Sequence, residues 1–287
     1  MAAVALLLHH QHPEAVGLAR QTIAWLLEGG HQVRLPQADA CHAGVPELAC
    51  TPEGLTAGLD VAVSLGGDGT MLRTVDLVAA DQVPVIGVNL GHLGYLAEVE
   101  APHLHTALGH FFAGAYEVQE RMRLDVVIDA PSGDDLGALS YPALNEAVVG
   151  KTPTGQIVRV AVEVDGEPFT TYSADGIIVA TPTGSTAYAW SAGGPIVAPS
   201  HAALLLVPVA PHMVFDRSLV LPPTACIRLE VAADRSATLS VDGRNLGLLA
   251  VGDAIVCTAA EHPARVVRFG PRGFLGILKA KFGLNDR

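Results

Sequence analysis

The sequence predicts an α/β N-terminal domain built on a parallel sheet, followed by a β-rich, sandwich-like C-terminal domain. Three observations predict it. Short apolar runs alternate with helical stretches through roughly the first third of the chain. A glycine-rich loop, Gly66-Gly67-Asp68-Gly69-Thr70, interrupts that part directly after an apolar run. After about Tyr116 the pattern changes to closely spaced strands separated by glycine, proline and aspartate turns, with little helical periodicity.

Val4 to Leu8 reads as a buried first strand. Pro13 to Leu27 has apolar residues at helical spacing and stops at Gly29-Gly30. Gln32 to Leu35 and Val61 to Leu65 are the next strands, Thr70 to Ala80 is helical, and Val85 to Val88 is a further strand. In the second part, Leu124 to Ile128, Ile157 to Val164, Ile177 to Ala180, Leu204 to Pro208, Ile227 to Val231, Ala237 to Val241 and Ala254 to Thr258 read as strands. The tail, Phe269 to Phe282, sets Arg272, Lys279 and Lys281 among apolar residues and could cover either domain. The expected domains are 1–118, carrying the glycine loop, and 119–265, with a tail of 266–287.

The 287 residues can bury a large core. Mean hydropathy is +0.38, yet the most apolar stretch, Pro195 to Pro211, is broken by Pro199, His201 and Pro208 and falls short of the roughly 20 apolar residues of a spanning helix. Met1 to Leu8 lacks a preceding basic residue and a small-residue cleavage site, so it is expected to be a strand, not a secretory signal. A net charge of −12 disfavours nucleic acid and anionic membranes as partners. It leaves room for a phosphate-bearing ligand held by backbone N–H groups and a few local cations. Cys41, Cys50, Cys226 and Cys257 form no C-x-x-C pair, which points to reduced thiols and a cytoplasmic protein, and Cys41-His42 has no second cluster at metal-ligand spacing.

Five strings stand out. Gly66-Gly67-Asp68-Gly69-Thr70 follows a strand and opens a helix. Its glycines permit φ > 0 and close approach of a ligand, and its backbone N–H groups suit an anion. Asp68 would repel a phosphate, so it needs a role as general base, metal ligand or hydroxyl acceptor, unless the string is only an Asp-Gly turn. Asn89-Leu90-Gly91-His92-Leu93-Gly94-Tyr95 follows the next strand and would share the crevice at the carboxyl ends of the sheet. Asn145-Glu146, between apolar runs, offers groups that read an adenine edge and ribose hydroxyls, or simply marks a strand edge. The long string Asp175 to Tyr188 ends a strand in Thr181-Pro182-Thr183-Gly184-Ser185-Thr186, continued by Ser191 to Pro195. Ser240 to Asn245 contains an Asp-Gly hairpin signal.

Together these strings resemble the NAD kinase family. The Gly-Gly-Asp-Gly-Thr loop is shared with diacylglycerol kinase-like lipid kinases and is similar to one in phosphofructokinases. Asn145-Glu146 and Asp175 to Tyr188 point to NAD kinases in particular, and Pro208 to His212 with Arg217 to Pro222 also look like the family. The net charge argues against a lipid acceptor. The resemblance covers Val61 to Asn245, and the first sixty or so residues share only the general pattern.

The resemblance implies phosphoryl transfer to the 2′-hydroxyl of the adenosine ribose of NAD, giving NADP. ATP or polyphosphate would be the donor and a divalent cation (Mg²⁺ or Mn²⁺) would assist. It implies NAD bound between the two domains, a tail packed back on the first, and a homodimer or homotetramer whose neighbouring subunit can complete the site. Carried over by motif, Asp68 is the proton acceptor, with Gly67, Gly69 and Arg73 at the dinucleotide or its phosphates. Asn145 and Glu146 hold the adenosine. Asp175 reaches the nicotinamide side. Thr183, Thr186, Ala187, Tyr188 and Ser191 line the adenine and ribose, and Ala210, Asp242 and Asn245 complete the pocket. The chain departs from the family pattern at Gln156, Ser173, Ala174, Ala189-Trp190, Asp216 and Ser218, positions that bear on cofactor and donor choice.

Overall fold

The computed structural model describes residues 1–91, 94–131, 140–152, 156–232, 235–270 and 273–284. The chain divides into two compact units, Met1–Glu120 with Pro263–Arg287, and Arg121–His262.

In the first unit, Ala3–Leu8, buried along its whole length, pairs in parallel with Gln32–Pro36 on one side and Val61–Leu65 on the other. Such strands read as continuous apolar runs because helices cover both faces. Val85–Asn89 adds beyond Val61–Leu65, also in parallel. Sheet order therefore runs from Ala49–Cys50 through Gln32–Pro36, Ala3–Leu8, Val61–Leu65 and Val85–Asn89 to Ala264–Arg268 and Glu117–Arg121. The strand order reverses between Ala3–Leu8 and Val61–Leu65, so a crevice opens beyond their carboxyl ends. The glycine loop and the histidines after Leu8 both lie there.

Helix Pro13–Glu28 starts on a proline and turns Ala15, Ala19, Ile23 and Leu26 to the sheet. After the shorter helices Gln37–Ala43 and Pro52–Thr56, helix Asp68–Val78 starts two residues before the apolar periodicity signals it, because extended Gly67 serves as its N-cap. Ala264–Arg268 joins this sheet beside Val85–Asn89, in parallel. The helix after it, Phe274–Phe282, buries no residue, and its Lys281 ammonium sits 4.5 Å over the Tyr95 ring. Arg272 lies outside the described residues.

The second unit holds two six-stranded antiparallel sheets. One has the order Leu219–Leu221, Leu204–Val209, Gly176–Ala180, Glu146–Gly150, Ala237–Val241, Arg244–Leu249. The other runs Glu167–Ala174, Val158–Val164, Ile227–Val231, Ala254–Ala259, Leu124–Asp129, Ser140–Ala143. Alternate residues of both, among them Val149, Ile177, Val160, Leu229 and Ile255, meet in one apolar core around Tyr172. The outer face of the first sheet is covered at Ile178 and Val207 by Ala189 of the short helix Tyr188–Ser191. Among the described residues, no helix is long and apolar enough to cross a membrane.

Candidate functional site

In the first unit, Gly67, Asp68, Gly69 and Arg73 lie where the sheet order reverses. None of the loop glycines uses the φ > 0 freedom that glycine permits. Their smallness serves space instead. A Cβ on Gly66 would come within 2.8 Å of Thr70 Cβ, whereas Gly67 and Gly69 face open space. Their main chain stays accessible to a ligand, beside a cavity of about 550 Å³.

Asp68 does not line that cavity. Its carboxylate accepts the backbone N–H of Tyr95 at 3.1 Å and of Leu96 at 3.2 Å. The approach depends on Gly94, where a Cβ would stand 2.9 Å from Asp68 Cγ. The loop after Val85–Asn89 thus orients Asp68 through its backbone. Burial, reinforced by the Asp68 carboxylate, pushes the Tyr95 phenol up and keeps it neutral. His92 and Leu93 lie outside the described residues.

Arg73 is tied inward. Its Nη2 donates to the Leu8 carbonyl and to Asp39 Oδ2, each at 2.8 Å. Asp39 is fully buried and also contacts His10. Asp39 and His10 carry no motif that marks them as site residues in the sequence. The available signal was the run His9-His10-Gln11-His12 at the carboxyl end of a buried strand.

In the second unit, Asn145, Glu146, Tyr188 and Asp242 are brought together. The Asp-Gly hairpin is real: Asp242 (φ 47°) and Gly243 (φ 76°) are both left-handed. The turn also has a second task. The Asp242 carboxylate accepts N–H bonds from Leu144 (2.7 Å), Asn145 (2.8 Å) and Glu146 (3.1 Å). It shapes the Asn145-Glu146 turn by gathering its amides. The Thr181–Thr186 turn packs on the other side. Thr181 Oγ1 donates to Leu144 O at 2.5 Å, and Gly184 lies so close that a Cβ would meet Asn145 Cα at 2.9 Å. Thr183 is buried, and its carbonyl accepts the Thr186 hydroxyl.

Glu146 is 6% exposed. Burial, then the Asp242 carboxylate, pushes its pKa up to about 7, against the opposing pull of the Tyr188 N–H. Its Oε2 is buried without a hydrogen-bond partner. A buried carboxyl with one open oxygen suits a hydroxyl donor brought by a ligand. The Tyr188 ring is 45% exposed just beyond it, available for stacking. Ser191 and Asn245 are exposed, and Asn245 Oδ1 accepts the Gly247 N–H.

Asp175 and Ala210 are not part of this cluster. In the pairing of Glu146–Gly150 with Gly176–Ala180, Glu146 faces Ala180 and Gly150 faces Gly176. Asp175 therefore sits at the opposite strand end, roughly 13 Å away at the usual rise. There it binds Lys151 Nζ at 2.7 Å, and Ala210, with φ 44°, follows the strand that pairs Val209 with Gly176. Among the described residues no three histidine, cysteine or carboxylate side chains converge to hold a metal ion.

Residues 4–116 match the family described as "ATP-NAD kinase N-terminal domain", and residues 144–269 match "ATP-NAD kinase C-terminal domain". The chain is 41% identical over 285 residues to an NAD kinase of Heliobacterium modesticaldum, covering 98% of each. It is 39% identical to NAD kinase 2 of Streptomyces avermitilis, over 98% of this chain and 94% of that one. Among solved structures it is similar to an NAD kinase from Archaeoglobus fulgidus in complex with ATP, at 25% identity and TM-score 0.74, covering 96% of this chain and 98% of that one. It shares its fold with yeast NADH kinase complexed with NADH, at 24% identity and TM-score 0.92, covering 100% and 89%.

Proposed function

The chain belongs to the NAD kinase family and makes NADP by phosphoryl transfer to NAD, and from that premise we propose that Asp68 is its general base. The observation that carries the assignment is the carboxylate's placement. It opens the helix at the sheet's reversal point, fixed by two backbone N–H groups. As the ribose 2′-oxygen attacks the γ-phosphorus of ATP, its proton passes to Asp68. The P–O bond to the β-phosphate breaks, and its electron pair leaves with ADP. Little covalent help is needed in such a loose transfer, so the protein mainly positions the groups.

ATP as donor is supported by the ATP complex of the Archaeoglobus fulgidus relative. The divalent cation is proposed to arrive on the donor's phosphates, whose oxygens are the hard ligands it prefers. Asn145 and Glu146 take the adenosine, with Glu146 Oε2 accepting a ribose hydroxyl and Tyr188 stacking. Thr183, Thr186, Ala187 and Ser191 line the same ligand. Asp242 acts by shaping the turn. Asp175 and Ala210, at the far strand end, serve the nicotinamide side or a neighbouring copy's site. A homo-oligomer is supported by exposed Val214, Phe215 and Val220 beside the edge strand Leu219–Leu221. Four free thiols fit the cytoplasm.

Incubation with NAD, ATP and Mg²⁺, with NADP read by an NADP-specific dehydrogenase, tests the assignment. Asp68→Asn gives up one of the two backbone N–H bonds, keeps the fold and much of the NAD affinity, and loses turnover by ~100-fold or more, the scale of a lost general base. Undiminished turnover in that variant removes Asp68 from the proton transfer.

A further inference from the structure

The cavity beside the glycine loop has a wall unlike the rest of this acidic protein. His9, His10, His12 and Arg73 line it, together with the exposed main chain of Gly67 and Gly69. Among the described residues it has no acidic lining side chain, in a chain of net charge −12. Such a wall selects an anion.

Behind it lies one carboxylate that shares no surface with the cavity. Asp39 is fully buried, on helix Gln37–Ala43. Its Oδ2 accepts the Leu8 N–H at 3.2 Å and Arg73 Nη2 at 2.8 Å, and its Oδ1 meets His10 Nε2. The His10 ring is also stacked on His42, with centroids 4.3 Å apart and planes at 7°. Arg73 Nη1 lies 3.2 Å from the same His10 Nε2. An arginine only donates, and one imidazole nitrogen cannot accept from it while donating to a carboxylate. The carboxylate is the stronger acceptor, so Nε2 carries its proton toward Asp39. Arg73 Nη1 is then left with a donor for something else, and His10 Nδ1 is held in a fixed direction. Both side chains remain partly exposed, His10 at 29% and Arg73 at 37%. A fold-stabilising tie needs only Arg73 and the Leu8 amide. Pinning a half-exposed histidine as well orients it for a ligand.

We propose that Asp39 is a positioning residue that sets His10 and Arg73 as a paired grip on the oligophosphate chain of the phosphoryl donor. This places Arg73 at the donor instead of the dinucleotide, and it rests on the kinase reading above. The shared chemistry is a chain of phosphates, from a nucleoside triphosphate or from inorganic polyphosphate.

The test is steady-state kinetics of the full chain and of His10→Gln. ATP is varied at saturating NAD, NAD is varied at saturating ATP, and tripolyphosphate is added as a competitor of ATP. His10→Gln raises the KM for ATP and the inhibition constant of tripolyphosphate together, each ~10-fold or more, with the KM for NAD within about twofold. Asp39→Asn shifts the same two constants in the same direction; His10→Gln, at a half-exposed position, carries the test if Asp39→Asn does not fold. An unchanged KM for ATP overturns the proposal, as does an equal rise in the KM for NAD. A raised KM for ATP with unchanged tripolyphosphate inhibition assigns His10 to the nucleoside and overturns the phosphate grip. A wild-type protein that makes NADP but is not inhibited by tripolyphosphate overturns it too. A wild-type protein that makes no NADP from any donor instead removes the kinase reading beneath it.

Discussion

Glu146 holds a proton through most of the acidic range because ionising it would leave a buried charge beside Asp242. The consequence for stability has a definite sign. A carboxyl whose folded-state pKa is raised contributes fully below its ordinary value of 4.5, and that contribution is lost as pH rises through about 7. Glu146→Gln has no proton to lose. Thermal unfolding from pH 4 to 9 therefore shows the variant level with wild type in acid and more stable above neutrality. The difference reaches on the order of 3 kcal/mol. A constant offset at all pH values dismisses the raised pKa. The same substitution removes the open Oε2, so greater stability accompanies weaker NAD binding. Asp68 shows the opposite solution to holding a carboxylate: two backbone donors and a glycine that makes room.

Among the elements, the turns decide the site. Asp242→Asn tolerates the left-handed backbone yet turns an amide N–H₂ toward amides that need acceptors. It costs ~1–3 kcal/mol by chemical denaturation and raises the KM for NAD more than it lowers kcat. An unperturbed KM for NAD separates the turn from the ligand. Elements differ in how openly the sequence announces them. Val61–Leu65, Ile227–Val231 and Ala237–Val241 match their apolar patterns to the residue, because burial and period coincide. Glu167–Ala174 carries no strand signal in sequence, because it is largely exposed and its pattern is Glu-Pro-Phe-Thr-Thr-Tyr-Ser-Ala. Ala264–Arg268 was hidden in the sequence because it is short and its parallel neighbour lies far away in the chain. At the site, motif strings marked Asp68, Asn145 and Glu146. The Asp39–His10–Arg73 arrangement spans three separate elements and becomes visible only when the sheet brings them together. From its own residues the Asp242 string reads as an Asp-Gly turn, and only the resemblance places it at the pocket, since nothing local in sequence shows that its carboxylate faces residues nearly a hundred positions earlier.

At the scale of the whole molecule, the first unit is discontinuous. Its sheet receives Ala264–Arg268 after the chain has traversed all of Arg121–His262. Buried Val266 and Val267 and the ion pair of Arg268 with Glu98 at 2.8 Å secure that strand. By contrast, Phe274–Phe282 buries nothing. Two truncations separate these contributions. Ending the chain at His262 uncovers the Val85–Asn89 edge and gives aggregated or unfolded protein in circular dichroism and size-exclusion runs. Ending it at Gly273 leaves both units folded, with a Tm within a few degrees of the full chain. A well-folded His262 truncation contradicts the closing role of the strand.

That late strand sets a schedule for synthesis. While a ribosome is still making Arg121–His262, the glycine loop and Asp68 have already emerged, but the sheet that carries them lacks a member. Domains that fold as units during synthesis ordinarily do so from the N-terminal end. Here the first-made unit is finished last. A nascent chain that stalls or breaks off within Arg121–His262 carries the motif for phosphoryl transfer on an open sheet edge, exposed to chaperones and proteases. Completion of that sheet thus waits for a chain translated past Arg268.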